Sequence, residues 1–300
     1  MRTPGRFRKI LGALAVLALV LAAWVAVSIL TLPSVAPLAK PGVSMVITVK
    51  DWERRDHPFV VGPGNPRWTP YGVLPPALKK AVVASEDANF YSHDGVDYEA
   101  IREAIKTDLR KGKIVRGGST ITQQVAKNLF LTREKTLIRK VKEFVLARRM
   151  DDALSKSRIL ELYLNVVELG PMVYGIGHAA HYYFGKPPSA LTVRECAFLA
   201  SMLPGPKIYD PYRKMDRVMK RSDRILRRMV AARMISREEY DAAMTEVPNL
   251  AGLARKVEKT LETPPPEEKP PAEAPGGGPV VIDSYPAAPP EPGSEEEPVR

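Results

Sequence analysis

A mainly α fold is what this chain predicts, and three observations predict it. Apolar residues recur at helical spacing through most of residues 77–245. Two of these stretches open on Ser or Thr with Glu three positions later, the reciprocal cap of a helix start. Strand-like alternation is confined to one good candidate, SMVITVK, Ser44 to Lys50.

The first element is apolar. Ile10 to Leu32 carries no charge over 23 residues, enough to cross a hydrocarbon layer of about 30 Å at about 1.5 Å per residue. Arg2, Arg6, Arg8 and Lys9 precede it, and the next basic residue is Lys40. The positive-inside rule places residues 1–9 in the cytoplasm and the rest of the chain outside, with 10–32 as an uncleaved anchor. A cleaved signal peptide is the alternative, but its apolar region usually runs to only about 7–15 residues.

Residues 33–75 read as a juxtamembrane segment, punctuated by Pro63, Gly64, Pro66, Pro70 and Pro75, with Pro76 just beyond it. Residues 76–250 read as one helical domain. ALKKAVVASED opens it. DYEAIREAIKTDLRKGK follows, with Tyr98, Ile101, Ile105 and Leu109 as its apolar face. GSTITQQVAKNLFL starts a helix near Ser119 or Thr120. LIRKVKEFVLARRMDDAL is basic and periodic, and SKSRILELYLNVVELG has Ser155 as its N-cap. Capping boxes at Thr192/Glu195 and Ser236/Glu239 open LTVRECAFLASML and SREEYDAAM, with the basic amphipathic RVMKRSDRILRRMVAARMIS between them. Residues 262–300, rich in Pro, Glu and Gly, read as a disordered acidic tail.

Charge is uneven along the 300 residues. The net value is +11, yet Glu262 onward holds nine acidic and two basic residues, leaving +18 on the remainder. A body this basic calls for an anionic partner. Nucleic acid would satisfy the charge but not the outside location. Cys196 is the sole cysteine, so no intrachain disulfide forms, and its apolar setting reads as a small buried hydrophobe.

Three stretches could carry chemistry. In SEDANFYSHDG, Glu86 and Asp87 lie between apolar runs, with Phe90 and His93 following. Partial burial of Glu86 would suit it to proton transfer, and a carboxylate ending a helix is the bland alternative. In GGSTITQQVAKNLF, two glycines precede Ser119, Thr120, Gln124, Lys127 and Asn128, a polar face suited to a phosphate or sugar phosphate, or simply a polar helix start. In RKVKE, Arg139 and Glu143 are spaced for an i,i+4 ion pair; alternatively they and Lys140 add a second carboxylate and further cations to a site for glycosyl transfer from a phosphate leaving group. In YLNVVELGPMVYGIGHAAHYYFGK, His178 and His181 lack the spacing of a helical metal pair.

Together SEDANFYSHDGVD, GGSTITQQVAKNLF, RKVKE, ILELYLNVVELG with YGIGHAAHYYFGK, and LTVRECAFLASMLPGP resemble, in order over residues 75–211, the peptidoglycan glycosyltransferase family, the polymerase domain of class A penicillin-binding proteins. No transpeptidase domain follows, so the resemblance is to the monofunctional biosynthetic transglycosylases. It implies a lysozyme-like, mainly α fold held at the bacterial inner membrane with its catalytic domain on the extracytoplasmic side. It also implies polymerisation of lipid II into β-1,4-linked strands with inversion and release of undecaprenyl pyrophosphate. Glu86 would be the general base on the acceptor 4-hydroxyl and Glu143 the second catalytic carboxylate. Lys127, Arg139 and Lys140 would bind the pyrophosphate. Ser119, Thr120, Gln124 and Asn128 would form the polar substrate face, and Asp87, Phe90 and His93 would shape the first motif. No cofactor is required by this reading, although some members use a divalent cation, Mg or Mn, at the pyrophosphate. Lipid II, the growing strand, membrane lipid and other cell-wall synthesis proteins are the implied partners, with no nucleic acid. One departure stands out: Gly170-Pro171-Met172 replaces the family's usual Gly-Asn or Gly-Asp. A glycan-cleaving lysozyme-like enzyme and a non-catalytic membrane scaffold are the rival readings. The first has no need of the cations, and the second predicts that Glu86→Gln is silent.

Overall fold

The computed structural model describes residues 4–251 apart from 41, 52, 54, 113–117, 133, 135 and 207. The predicted acidic tail lies outside the described residues. In chain order the helices are α1 (Pro4–Leu30), α2 (Pro76–Glu86), α3 (Tyr98–Lys111), α4 (Ile121–Phe130), α5 (Leu137–Ala153), α6 (Lys156–Val166), α7 (Ile176–Phe184), α8 (Val193–Met202), α9 (Pro211–Ala231) and α10 (Arg237–Thr245). Two hairpins complete the set: β1 (Met45–Lys50) with β2 (Asp56–Val61), and β3 (Glu168–Gly170) with β4 (Val173–Tyr174). The protein is mainly α. Its described residues cluster into two compact units, 4–40 with 94–154 and 42–93 with 155–251, so the stretch 76–250 contributes to both.

In the first unit, α1 contains a 23-residue span, Arg8–Leu30, long and apolar enough to cross a membrane, and nearly all its apolar side chains are exposed. Helix α3 is capped at Asp97, whose side chain accepts from Ala100 N at 2.8 Å, and closes on left-handed Gly112. The period read from its sequence holds, but the expected apolar face does not enter the core. Tyr98, Ile105 and Leu109 are 74%, 54% and 78% exposed, and the helix buries Ala104 instead. Helices α4 and α5 pack on each other through Ile121, Val125 and Leu129 on one side and Leu146, Ala147 and Met150 on the other. Gly95 has φ +81°, and a Cβ there would come within 2.5 Å of the Ala147 carbonyl oxygen, so backbone alone fits.

In the second unit, β1 and β2 pair antiparallel with Met45 opposite Val61 and Lys50 opposite Asp56. Strand β2, DHPFVV, was not anticipated: Pro58 breaks the strand signal in the sequence. The core is α8, buried along almost its whole length, with α2 and α9 packed against it. Arg194 of α8 is buried because Asp223 of α9 meets it at 2.6 Å. Cys196 is also buried there, and burial pushes its thiol up, as suits a packing residue. The capping boxes at Thr192/Glu195 and Ser236/Glu239 both form, and Ser155 caps α6. Asn165 of α6 fastens the preceding loop: its Oδ1 accepts from Thr69 N at 2.7 Å, and its Nδ2 donates to the Thr69 and Glu161 carbonyls at 2.8 Å each. At the turn between β3 and β4, Met172 takes φ +59°, a conformation that Asn or Gly adopts more readily.

Candidate active site

The predicted site residues fall into two clusters, one in each unit.

In the second unit, α2 delivers Glu86 as its last residue, followed by Asp87 as C-cap. The Glu86 side chain is 10% exposed. Ser85 Oγ donates to Glu86 Oε1 at 3.1 Å. Arg221 of α9 places Nη2 at 3.2 Å from Ser85 Oγ and 3.4 Å from Glu86 Oε1. Asp87 is buried against His93, whose Nε2 lies 3.0 and 3.1 Å from its two oxygens. Phe90 is fully buried; it braces the motif from the core, with Lys156 Nζ 5.0 Å from its ring centroid and donating to the His93 carbonyl. Tyr163 is fully buried as well. Its phenol is pushed well up, first by burial and then by the charges of Glu86 and Asp87, so a neutral hydroxyl borders the two carboxylates.

The second cluster, in the first unit, is built on α4 and α5. Glu143 is buried, its carboxylate ion-paired to Arg139 one turn earlier and to Lys140 Nζ at 2.8 Å. Lys140 Nζ also donates to Ser119 Oγ at 2.9 Å. The i,i+4 pair and the carboxylate-with-cations reading are therefore the same arrangement. Burial first, then the charges of Arg139 and Lys127, lowers the Lys140 pKa from 10.5 to about 8. Lys127 is exposed on α4, with Gln124 and Asn128 half-buried on the same face. Thr120 departs from the expected polar face. It is buried, its hydroxyl donates to Gly95 O at 2.6 Å and accepts from Gln123 N, and Thr120 N donates to Gln123 Oε1 at 3.0 Å. It caps α4 and leaves Ser119, exposed, as the hydroxyl beside the cations.

Ser85, Tyr163 and Arg221 were not singled out from the sequence. The first two lie inside SEDANFYSHDGVD and ILELYLNVVELG, where nothing in the sequence distinguishes them from core. Arg221 is one of many basic residues on α9.

Comparison with known proteins gives a consistent answer. A family model described as Transglycosylase matches residues 59–230, more than half of the chain. The chain is 47% identical over 168 residues to a biosynthetic peptidoglycan transglycosylase of Nitrosomonas eutropha, covering 56% of this chain and 69% of that protein. It is 50% identical over 167 residues to the corresponding protein of Paraburkholderia xenovorans, covering 56% and 70%. With penicillin-binding protein 1A of Escherichia coli it shares 44% over 176 residues, 59% of this chain and 21% of that one. The solved penicillin-binding protein 1A of Haemophilus influenzae aligns at a TM-score of 0.37 and 21% identity, covering 73% of this chain and 24% of its own. The chain belongs to the transglycosylase family. It is a peptidoglycan transglycosylase, a glycosyltransferase of cell-wall synthesis.

Proposed function

We propose that the enzyme polymerises lipid II, with Glu86 as general base. The acceptor's 4-hydroxyl oxygen attacks the donor's anomeric carbon while its proton passes to Glu86. The bond from that carbon to the pyrophosphate oxygen breaks with inversion, and undecaprenyl pyrophosphate leaves with the electron pair. Arg139, Lys140 and Lys127 balance the developing charge, and Glu143 holds the first two cations in place. Ser119, Gln124 and Asn128 supply neutral donors to the same group.

The observation that carries this reading is the cation cluster. Glu143 is buried under Arg139 and Lys140 with Ser119 on the other side of the ammonium. A hydrolase adding water to a glycosidic bond has no polyanion to release and no use for such a cluster. A divalent cation at the pyrophosphate is the cofactor the family resemblance offers. Glu143, the carboxylate beside these cations, is already committed to Arg139 and Lys140, a donor set that does not suit a metal.

The span Arg8–Leu30 serves as a single-pass anchor in the bacterial inner membrane, with the catalytic portion on the extracytoplasmic side. The exposed stripe Tyr98, Ile105 and Leu109 supports a second contact with membrane lipid. A substrate with its own lipid tail is then met where it resides, and the tether raises its effective concentration. The growing strand and other cell-wall synthesis proteins complete the partners of this reading.

The test is polymerisation of labelled lipid II by the full chain in liposomes, resolved by strand length on a gel, with Glu86→Gln alongside. A ladder that disappears in the variant is the expected result. A ladder that persists removes Glu86 from the mechanism, and loss of preformed strands in place of growth turns the reading to cleavage.

A further inference from the structure

We propose that Arg221 is a positioning residue that orients the Glu86 carboxylate for proton transfer, an inference that rests on Glu86 being the general base. Helix α9 carries Arg213, Lys214, Arg217, Lys220, Arg224 and Arg227 exposed to solvent, the ordinary disposition of a basic helix face. Arg221 is turned the other way, its side chain 20% exposed. Its guanidinium lies 5.3 Å from the centroid of the Tyr209 ring, which Arg217 also approaches at 5.6 Å. That cation–π contact restricts where the guanidinium sits.

From this position one amino group reaches a residue 135 positions back along the chain. Nη2 is 3.2 Å from Ser85 Oγ and 3.4 Å from Glu86 Oε1. Ser85 accepts from Arg221, and its own proton is then directed to Glu86 Oε1 at 3.1 Å rather than to the Ala200 carbonyl at 3.5 Å. The result is a relay from Arg221 through Ser85 to Glu86. The direct contact is longer than the roughly 2.8 Å of a good charge-assisted bond and involves one amino group only, so it is not a neutralising bidentate pair. What it accomplishes is angular. With Oε1 addressed by two donors from one side, the carboxylate plane is set, and with it the direction of Oε2. A general base has to lie within hydrogen-bond reach of the proton it takes, and small misplacements are costly there.

A group that only orients the base acts in the transition state, and its loss falls on kcat and leaves KM alone. Arg221→Met keeps the aliphatic stem over Tyr209 and removes the donor. On lipid II in liposomes, kcat is expected to drop on the order of tenfold to a hundredfold, with KM changed by less than about twofold. Arg221→Lys should recover part of the loss. In a Glu86→Asp background, where the shorter carboxylate retreats from both donors, Arg221→Met should cost much less than it does alone. A raised KM with unchanged kcat would overturn the proposal and make Arg221 a substrate-anion contact. An equal loss in the Glu86→Asp background, or a kcat indistinguishable from wild type, would also overturn it. If Arg221→Met fails to give a cooperative melt, Ser85→Ala breaks the same relay with Arg221 intact, and a several-fold loss confined to kcat is required of it. Glu86→Gln, run in parallel, separates the two ideas: full activity there defeats the general-base reading itself, whereas an inactive Glu86→Gln with a normal Arg221→Met defeats only this one.

Discussion

Lys140 Nζ stands 2.8 Å from the Glu143 carboxylate, yet its pKa is lowered to about 8. A carboxylate that close favours the ammonium form. Burial, followed by repulsion from Arg139 and Lys127, acts in the opposite direction and lowers the value. The sign follows directly. Below about pH 8 the ammonium is present, and above it the free enzyme loses one of the cations to which pyrophosphate binding is attributed in the proposed reaction. The kcat/KM for lipid II should therefore fall as pH rises through about 8, because that ratio reports ionisations of the free enzyme. Lys140→Arg keeps its charge throughout and should remove this limb, which a pH series on both proteins in liposomes will check. Stability moves oppositely. Since the folded pKa lies below the unfolded one, the strain of holding this charge is present below about pH 8 and is relieved as pH climbs toward 10.5.

The tie between Asn165 and Thr69 predicts a stability effect with no catalytic origin. Asn165→Ala removes three hydrogen bonds and leaves the Thr69 amide buried without its acceptor. A buried donor left unpaired costs about 1–3 kcal/mol, and the two lost donations from Nδ2 add to that. Denaturant titration should show a loss of about 2–4 kcal/mol, with the midpoint shifted and the slope unchanged.

What was legible in the sequence was local. Thr192/Glu195, Ser236/Glu239 and Ser155 were readable as caps because a cap is satisfied within one helical turn of its own chain. The ion pairing around Glu143 was readable for the same reason, since Arg139, Lys140 and Glu143 share one helix. The sequence leaves Thr120 open between a cap and a polar ligand face, because both use the same residue type, and its cap role shows only in the bonds to Gly95 O and Gln123 N. Arg221 was hidden because helical periodicity cannot tell it from Lys220 or Arg224; its partner Glu86 lies 135 positions away. The face of α3 shows a different limit. Periodicity reveals that a helix has an apolar side but not what covers that side, and here it is the exposed side.

That exposed stripe predicts contact with lipid. Cys196 is buried, so a cysteine introduced at the surface is selectively labelled. A fluorophore on Leu109→Cys in the full chain in liposomes should be quenched by nitroxide-bearing lipids and shielded from aqueous iodide. The same label on Glu103→Cys, on the polar side of α3, should behave in the opposite way. Equal iodide quenching at both positions would place the stripe in water.

The end of α9 predicts a gain. Arg233 follows the C-cap Ala232 with φ +54°, its N–H bonded to Val230 O at 3.0 Å, while Met234 N bonds to Met229 O at 2.8 Å. This is the paired bonding of a left-handed helix stop, in which glycine is the favoured residue because it has no Cβ to meet the following carbonyl. The Arg233 side chain is exposed, so its removal sacrifices little packing. Arg233→Gly relieves the left-handed penalty of about 1–2 kcal/mol, and glycine's greater freedom in the unfolded chain returns part of that, as does the loss of a cation near the helix C-terminus. The net expectation is a stabilisation of about 0.5–1 kcal/mol, read as a higher denaturant midpoint with catalysis unchanged. Arg233→Ala keeps the strain, loses the charge, and should give no such gain.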